Sequence, residues 1–262
     1  MDVHPTGLEP YKPAEIATLA KTVGTQKAQL PFISMATLAV LAGVFIGLGA
    51  AAYTVTMTGA DPGFGPHRIL GGIVFSLGLV LVIVGGAELF TGNALMVMAA
   101  VDRKITLVDL FRNWLFVYIG NFAGALALAY CFHLSGLFGG AAGQTAAEIA
   151  SAKVALGPVE MFMRGLLCNV LVCLAVWLTL AARSVTGKIL AILWPISSFV
   201  ALGLEHSVAN MYLIPQGMLA GAPVSGAEFL NNLTYVTMGN IIGGAGGVAL
   251  AYRLAYGGQQ AK

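Results

Sequence analysis

The sequence predicts an all-α integral membrane protein, with six transmembrane helices in two inverted three-helix repeats and the second and fifth helices broken. Three observations carry this reading. Charged residues are only 9% of the 262 residues and hydrophobic types 58%, where a soluble domain holds about 25% charged. Six apolar stretches are long enough to cross a bilayer core, which takes about 20 residues. A polar motif in the second stretch recurs in the fifth.

The six stretches are 31–58, 68–98, 106–134, 158–183, 187–214 and 230–256. Ahead of them Pro13 stands where a helix would begin. Ile16, Leu19, Ala20 and Val23 follow at i, i+3, i+4 and i+7, the stripe of an amphipathic helix lying on a membrane surface. The chain thus divides into an N-terminal amphipathic helix (1–30), a six-helix domain (31–256, with repeats 31–134 and 158–256) and a short tail (257–262).

Six spans put both termini on one side. Lys12, Lys21, Lys27, Arg103, Lys104, Arg112, Arg183, Lys188, Arg253 and Lys262 fall there, against Arg68, Lys153 and Arg164 on the other. The positive-inside rule then makes both termini cytoplasmic and the protein a multi-pass component of the cell membrane.

The formal net charge of +2 is too small for nucleic-acid binding. Cys131, Cys168 and Cys173 lie in apolar stretches and form neither a disulfide framework nor a CxxC pair. His4, His67, His133 and His206 show no ligand spacing such as HExxH. No metal, cofactor or enzymatic activity is therefore expected. The first 30 residues are too polar for a cleavable signal peptide.

The repeat rests on particular residues. Gly86-Ala-Glu88-Leu-Phe-Thr91-Gly-Asn93 and Gly203-Leu-Glu205-His206-Ser-Val-Ala-Asn210 both read G-x-E-x-x-x-x-N. Span three carries Ile119-Gly120-Asn121 and span six Met238-Gly239-Asn240. Glu88 precedes Asn121 by 33 positions, and Glu205 precedes Asn240 by 35. Three spans per half is an odd number, so the second half enters the membrane inverted, as in many channels and transporters. Carboxylates at hydrocarbon depth mark a path or a structural contact, and the helix breaks expected at Thr91-Gly92-Asn93 and at Ser207 and Asn210 survive there only under cover. Glu88 and Glu205 are expected to clamp freed backbone N–H groups at the two breaks, with Asn93 and Asn210 in support; a direct proton relay is the alternative. Glycine pairs Gly43/Gly47, Gly120/Gly124 and Gly243/Gly247 suit close helix packing.

At these residues the sequence resembles the formate/nitrite transporter family of prokaryotic monovalent-anion channels. The matching segments are Glu88-Leu-Phe-Thr-Gly-Asn93, Cys168-Asn-Val-Leu-Val-Cys-Leu-Ala-Val-Trp177, Gly203-Leu-Glu-His-Ser-Val-Ala-Asn-Met211, Val236-Thr-Met-Gly-Asn-Ile-Ile-Gly-Gly244 and the opening Tyr11-Lys-Pro-Ala-Glu-Ile16. The resemblance implies an aquaporin-like six-helix protomer, a homopentamer and one pore in each protomer. It implies that His206 is the central pore histidine and Thr91 the threonine of the gating loop. Phe75 and Phe199 resemble a ring narrowing the cytoplasmic side. Leu79, Leu89 and Val172 resemble apolar constrictions, with Leu89 on the periplasmic side. Asn169 and Asn240 resemble pore-lining asparagines, and Lys153 the lysine of the outer vestibule. The implied partners are protons and formate, with nitrite or hydrosulfide as alternatives. A neutral-solute facilitator like the aquaporins would instead carry two Asn-Pro-Ala motifs and a pore arginine.

A bare anion in a dry neck faces a Born cost of tens of kcal/mol. Protonating a weak acid with a pKa about 3.9 costs roughly 4 kcal/mol at pH 7. The neutral acid is therefore the expected permeant form, and chloride and nitrate are too weakly basic to follow it.

Overall fold

The computed structural model describes residues 9–256; His4, Lys262 and the expected tail at 257–262 lie outside them. Helix α1 (Pro13–Ala28) begins at the expected proline and leads into α2 (Phe32–Met57). The second apolar stretch is divided among α3 (Gly65–Phe75), α4 (Leu77–Gly85), a 3₁₀ turn (Gly92–Met96) and α5 (Val97–Val101). Then come α6 (Leu107–Leu134), α7 (Gly140–Val154) and α8 (Pro158–Ala181). The fifth stretch is two pieces, α9 (Val185–Ala201) and α10 (Ser207–Leu219). Last are α11 (Gly226–Ile241), a π-helical segment (Ile242–Leu250) and α12 (Ala251–Tyr256).

Among the described residues, five helical runs are long and apolar enough to cross a membrane: 32–57, 65–85, 107–134, 158–181 and 226–256. The expected fifth span is not such a run, because α9 stops at 17 residues. The length and apolar composition of these runs suit a membrane protein.

Glycine sets the closeness of the packing. A Cβ on Gly43 of α2 would stand 2.1 Å from the Asn121 carbonyl oxygen of α6, and one on Gly124 of α6 2.0 Å from that of Val40. The packing of α8 on α11 and the π segment repeats the arrangement, with Gly239 and Gly243 lying 2.1 and 2.0 Å from the Phe162 and Leu166 carbonyls on the same construction. Backbones in such contact gain dispersion that lipid cannot match.

Helix α1 packs on the helix bundle through its apolar stripe. Ile16, Ala17 and Ala20 are buried in an apolar cluster with Leu95, Met98 and Trp177. Its stripe faces protein. Leu19 and Val23 are only partly buried.

Candidate functional site

Two short non-helical stretches create the site. The first, 86–91, separates α4 from the 3₁₀ turn; the second, 202–206, separates α9 from α10. Each carries a glycine with positive φ near its start, Gly86 at φ +85° and Gly203 at φ +70°. That backbone costs other residues about 1–2 kcal/mol, which explains the first letter of the repeated motif.

A helix that stops inside a protein leaves amides and carbonyls to be satisfied. Asparagines do this work. The Phe90 N–H donates to Asn121 Oδ1 at 2.9 Å, while Asn121 Nδ2 donates to the carbonyls of Glu88 and Ala39 at 2.9 and 2.8 Å. In the second break the Ser207 N–H donates to Asn240 Oδ1 at 2.9 Å, and Asn240 Nδ2 donates to the carbonyls of Glu205 and Gly165 at 3.0 and 2.7 Å. One amide side chain satisfies both sexes of orphan group, which a carboxylate, being acceptor only, cannot do.

Glu88 and Glu205 are therefore not the backbone clamps. Each is buried and ion-paired instead. Lys27 Nζ of α1 lies 2.5 Å from Glu88 Oε1, and Lys153 Nζ of α7 lies 2.9 Å from Glu205 Oε1. Their second oxygens accept from Asn93 Nδ2 at 2.8 Å and Asn210 Nδ2 at 2.7 Å. Asn93 and Asn210 also donate to Asn113 and Asn232 Oδ1, both at 2.8 Å, and those amides return to the carbonyls of Lys27 and Lys153 at 3.3 and 3.0 Å. Two matched rings result, one behind each break. Sequence reasoning missed Lys27, Asn113 and Asn232, and it gave Asn121 no role. A signal for the asparagines was present: Asn113 precedes Asn121 by eight positions, and Asn232 precedes Asn240 by eight.

The two breaks meet at Thr91 and His206. Thr91 Oγ1 lies 2.9 Å from His206 Nε2, and both residues are buried. His206 also caps α10, its Nδ1 accepting from the Ala209 N–H at 3.1 Å. An acceptor Nδ1 leaves the proton of a neutral ring on Nε2. Nε2–H then donates to Thr91, and the Thr91 hydroxyl proton is free to point elsewhere. The Thr91 carbonyl accepts from Asn169 Nδ2 at 3.2 Å and Cys173 Sγ at 3.4 Å. Asn169 Nδ2 also donates to the Asn240 carbonyl at 2.7 Å. Asn169 thus ties the first break to the clamp of the second, and only its Oδ1 is unpartnered. Asn240, expected to line a pore, is wholly buried and its amide hydrogens are both committed to backbone.

A cavity of about 350 Å³ reaches His206 from one end of the molecule. Its walls include Phe75, Phe199, Lys153, Arg164 and Glu205. Phe199 stacks on the His206 ring at 5.9 Å and meets Phe75 edge-on at 5.5 Å. The two phenylalanines therefore share an end with Lys153, Met57 and Pro62. They cannot narrow the opposite, cytoplasmic side while Lys153 guards the outer one. Leu89 stands beside Glu88, whose ion pair ties the first break to α1. Leu79, Leu89 and Val172 are buried in one apolar cluster with both phenylalanines. The lysine expected to attract anions is half of a buried ion pair, so Glu205 offsets its charge.

A membrane helix bundle in which two broken segments meet at a buried hydroxyl–imidazole contact, with a cavity leading to it, belongs to the class of channels and transporters. The comparisons narrow that class. Residues 14–254 match the family model described as formate/nitrite transporter. The "Formate channel FocA" of Escherichia coli K12 is 39% identical over 268 residues, covering 93% of this chain and 94% of the relative. The "Uncharacterized transporter YrhG" of Bacillus subtilis is 41% identical, covering 94% and 93%. Among solved structures, an "FNT family ion channel" superposes with a TM-score of 0.86 at 28% identity, covering 92% of this chain and 98% of that one. A "Pentameric formate channel with formate bound" gives 0.80 at 38% identity, covering 86% and 97%. This chain belongs to the formate/nitrite transporter family.

Proposed function

We propose that this protein is a homopentameric channel for small monovalent weak-acid anions in the cytoplasmic membrane, with formate as its substrate, a proton accompanying each anion, and one pore in each protomer. The observation that carries this reading is the buried Thr91–His206 contact at 2.9 Å, where the two helix breaks meet beneath the cavity. Relatives named as formate channels support the substrate, and a solved pentamer supports the assembly. The architecture proposed is six spans in two inverted repeats, the fifth span being α9 and α10 together. The matched rings support the repeat and extend it, since Lys27 of α1 and Lys153 of α7 occupy equivalent places. Both termini are assigned to the cytoplasm by the ten-to-three basic count, which makes the cavity the outer vestibule.

The pore runs from the cavity past Phe75 and Phe199 to His206 and Thr91, then between Leu79, Leu89 and Val172 toward the α1 end. The apolar walls exclude a bare anion, so formate crosses them as formic acid and releases the proton beyond. His206 serves as the neutral Nε2–H donor. It holds Thr91 Oγ1 so that the hydroxyl proton can donate to a substrate oxygen. Asn169 Oδ1, lacking a partner, is placed to accept from the acid O–H. A second proton on His206 would displace the Ala209 cap, which contributes about 1 kcal/mol. The transported proton therefore comes with the substrate from the vestibule.

Uptake into proteoliposomes with an internal pH dye tests this. Formate should acidify the lumen quickly, chloride should give no signal, and His206→Ala, checked for a folded pentamer, should be slow. Nitrite and hydrosulfide measured alongside set the preference. Equal chloride and formate flux without acidification would refute the weak-acid mechanism.

A further inference from the structure

The basic residues at the cavity end are few, and they converge. Arg68, Lys153 and Arg164 come from α3, α7 and α8, and all three surround the turn 202–206. Lys153 and Arg164 line the cavity. Arg68 Nη2 stands 3.1 Å from where a Cβ on Gly203 would lie, and Arg164 Nη1 donates to the Gly203 carbonyl at 3.4 Å. The two guanidiniums thus flank the same glycine at the rim, while Lys153 is compensated by Glu205. The ion pair of Arg164 with Glu160 is long, at 3.5 Å, and solvent-exposed, a geometry that contributes little. Glu148 is the other carboxylate on the wall.

We infer that Arg68 and Arg164 form an anion-collecting site at the cavity rim, which concentrates small monovalent oxyanions before they reach the Lys153–Glu205 pair. Planar guanidiniums match the two oxygens of a carboxylate or nitrite and hold them less tightly when exposed than when buried. A rim site of this kind attracts anions without trapping them. It rests on the channel reading, and it assigns to two arginines the attraction first expected of Lys153. Losing one unit charge about 8 Å from the anion in water lowers its local concentration about twofold, and losing two lowers it about fivefold.

The test uses the purified full chain in proteoliposomes. Initial formate uptake is followed against formate concentration at about 10 mM and about 200 mM inert salt, which screens exposed charges. Arg68→Gln/Arg164→Gln should raise the half-saturating formate concentration about fivefold at low salt, keep the maximal rate and flatten the salt dependence, as that attraction predicts. Arg68→Lys/Arg164→Lys should stay within about twofold of wild type, because the charge remains. Chloride NMR line broadening by the protein in micelles gives a readout independent of flux, and it should fall in the Gln variant. If that variant does not form the pentamer, the single Arg164→Gln variant should show about half the effect by both readouts. Unchanged half-saturation, salt dependence and line broadening would overturn the site. So would a maximal rate lost equally at every salt and formate concentration, since that marks a brace for Gly203. Wild-type protein that moves no formate but loses chloride broadening in the Gln variant would sink the formate reading and keep the rim site.

Discussion

Consider removing one member of the Lys153–Glu205 pair. Glu205 is 4% exposed and held by Asn210, so it cannot leave its place. Lys153 lines the cavity and has a flexible stem, so it can turn into water. Lys153→Met therefore strands a carboxylate, at about 3–5 kcal/mol, the cost of leaving one member of a buried pair uncompensated. Glu205→Gln keeps an acceptor for Asn210 and frees the lysine to solvate. It should cost only the lost charge-assisted hydrogen bond, about 1.5–3 kcal/mol. The double variant Lys153→Met/Glu205→Gln leaves no charge behind and should recover most of what Lys153→Met alone loses. Unfolding by increasing fractions of a denaturing detergent, read by tryptophan fluorescence, orders the three. Equal losses in both single variants, or a double variant no better than Lys153→Met, would refute the asymmetry and with it the ion-pair account of the ring.

Other outcomes follow from the same geometry. Asn240→Ala removes partners from three buried backbone groups, each worth about 1–3 kcal/mol when unsatisfied, and should abolish a detergent-stable oligomer on size exclusion; a normal elution profile would show that Asn240 is not the clamp. Gly243→Ala places a methyl 2.0 Å from the Leu166 carbonyl, so α8 and the π segment must part; the expected result is loss of folded yield, whereas Gly246→Ala, with open space around it, should be tolerated. Asp102, in the turn after α5, bonds Lys21 at 3.0 Å and Arg253 at 2.9 Å. Its burial raises the carboxyl pKa, but the hydrogen bonds from Lys21 and Arg253 and their charges outweigh that and hold it below the ordinary value. A depressed folded pKa contributes stability above the unfolded pKa of about 3.9 and loses it as pH falls through the folded value. Protection factors of the amides in α1 and α12 should thus be flat from neutrality to about pH 5 and fall below about pH 4, with Asp102→Asn already poorly protected at neutral pH; an acid response unchanged in that variant would remove Asp102 from the contact.

Much of this protein was legible in the order of its residues. Membrane residence follows from composition, because a chain with so few charges cannot solvate its own surface. The limits of several spans follow from apolar run length, and that of α1 from Pro13, while α7 (Gly140–Val154) fell outside every expected stretch. The breaks were expected at Thr91-Gly92-Asn93 and at Ser207 and Asn210, but the non-helical stretches begin ahead of those residues, over 86–91 and 202–206. The family follows from polar motifs too long to recur by chance. The partners of those motifs were not legible. Glu88 and Glu205 looked like backbone clamps because a carboxylate can accept an amide proton. Asn121 and Asn240 do that task because they lie 31 and 33 positions beyond the amides they serve, and only the close approach of helices at glycine brings them there. Lys153 looked like a free attractor because sequence does not show that Glu205, 52 positions away, faces it. Phe75 and Phe199 were set at the opposite end from Lys153 because depth along a span does not say which cavity a ring faces. Hydrophobic patterning acts locally and is written along the chain. Charge pairing and backbone satisfaction act over a few ångströms between distant segments, so only the tertiary structure decided them.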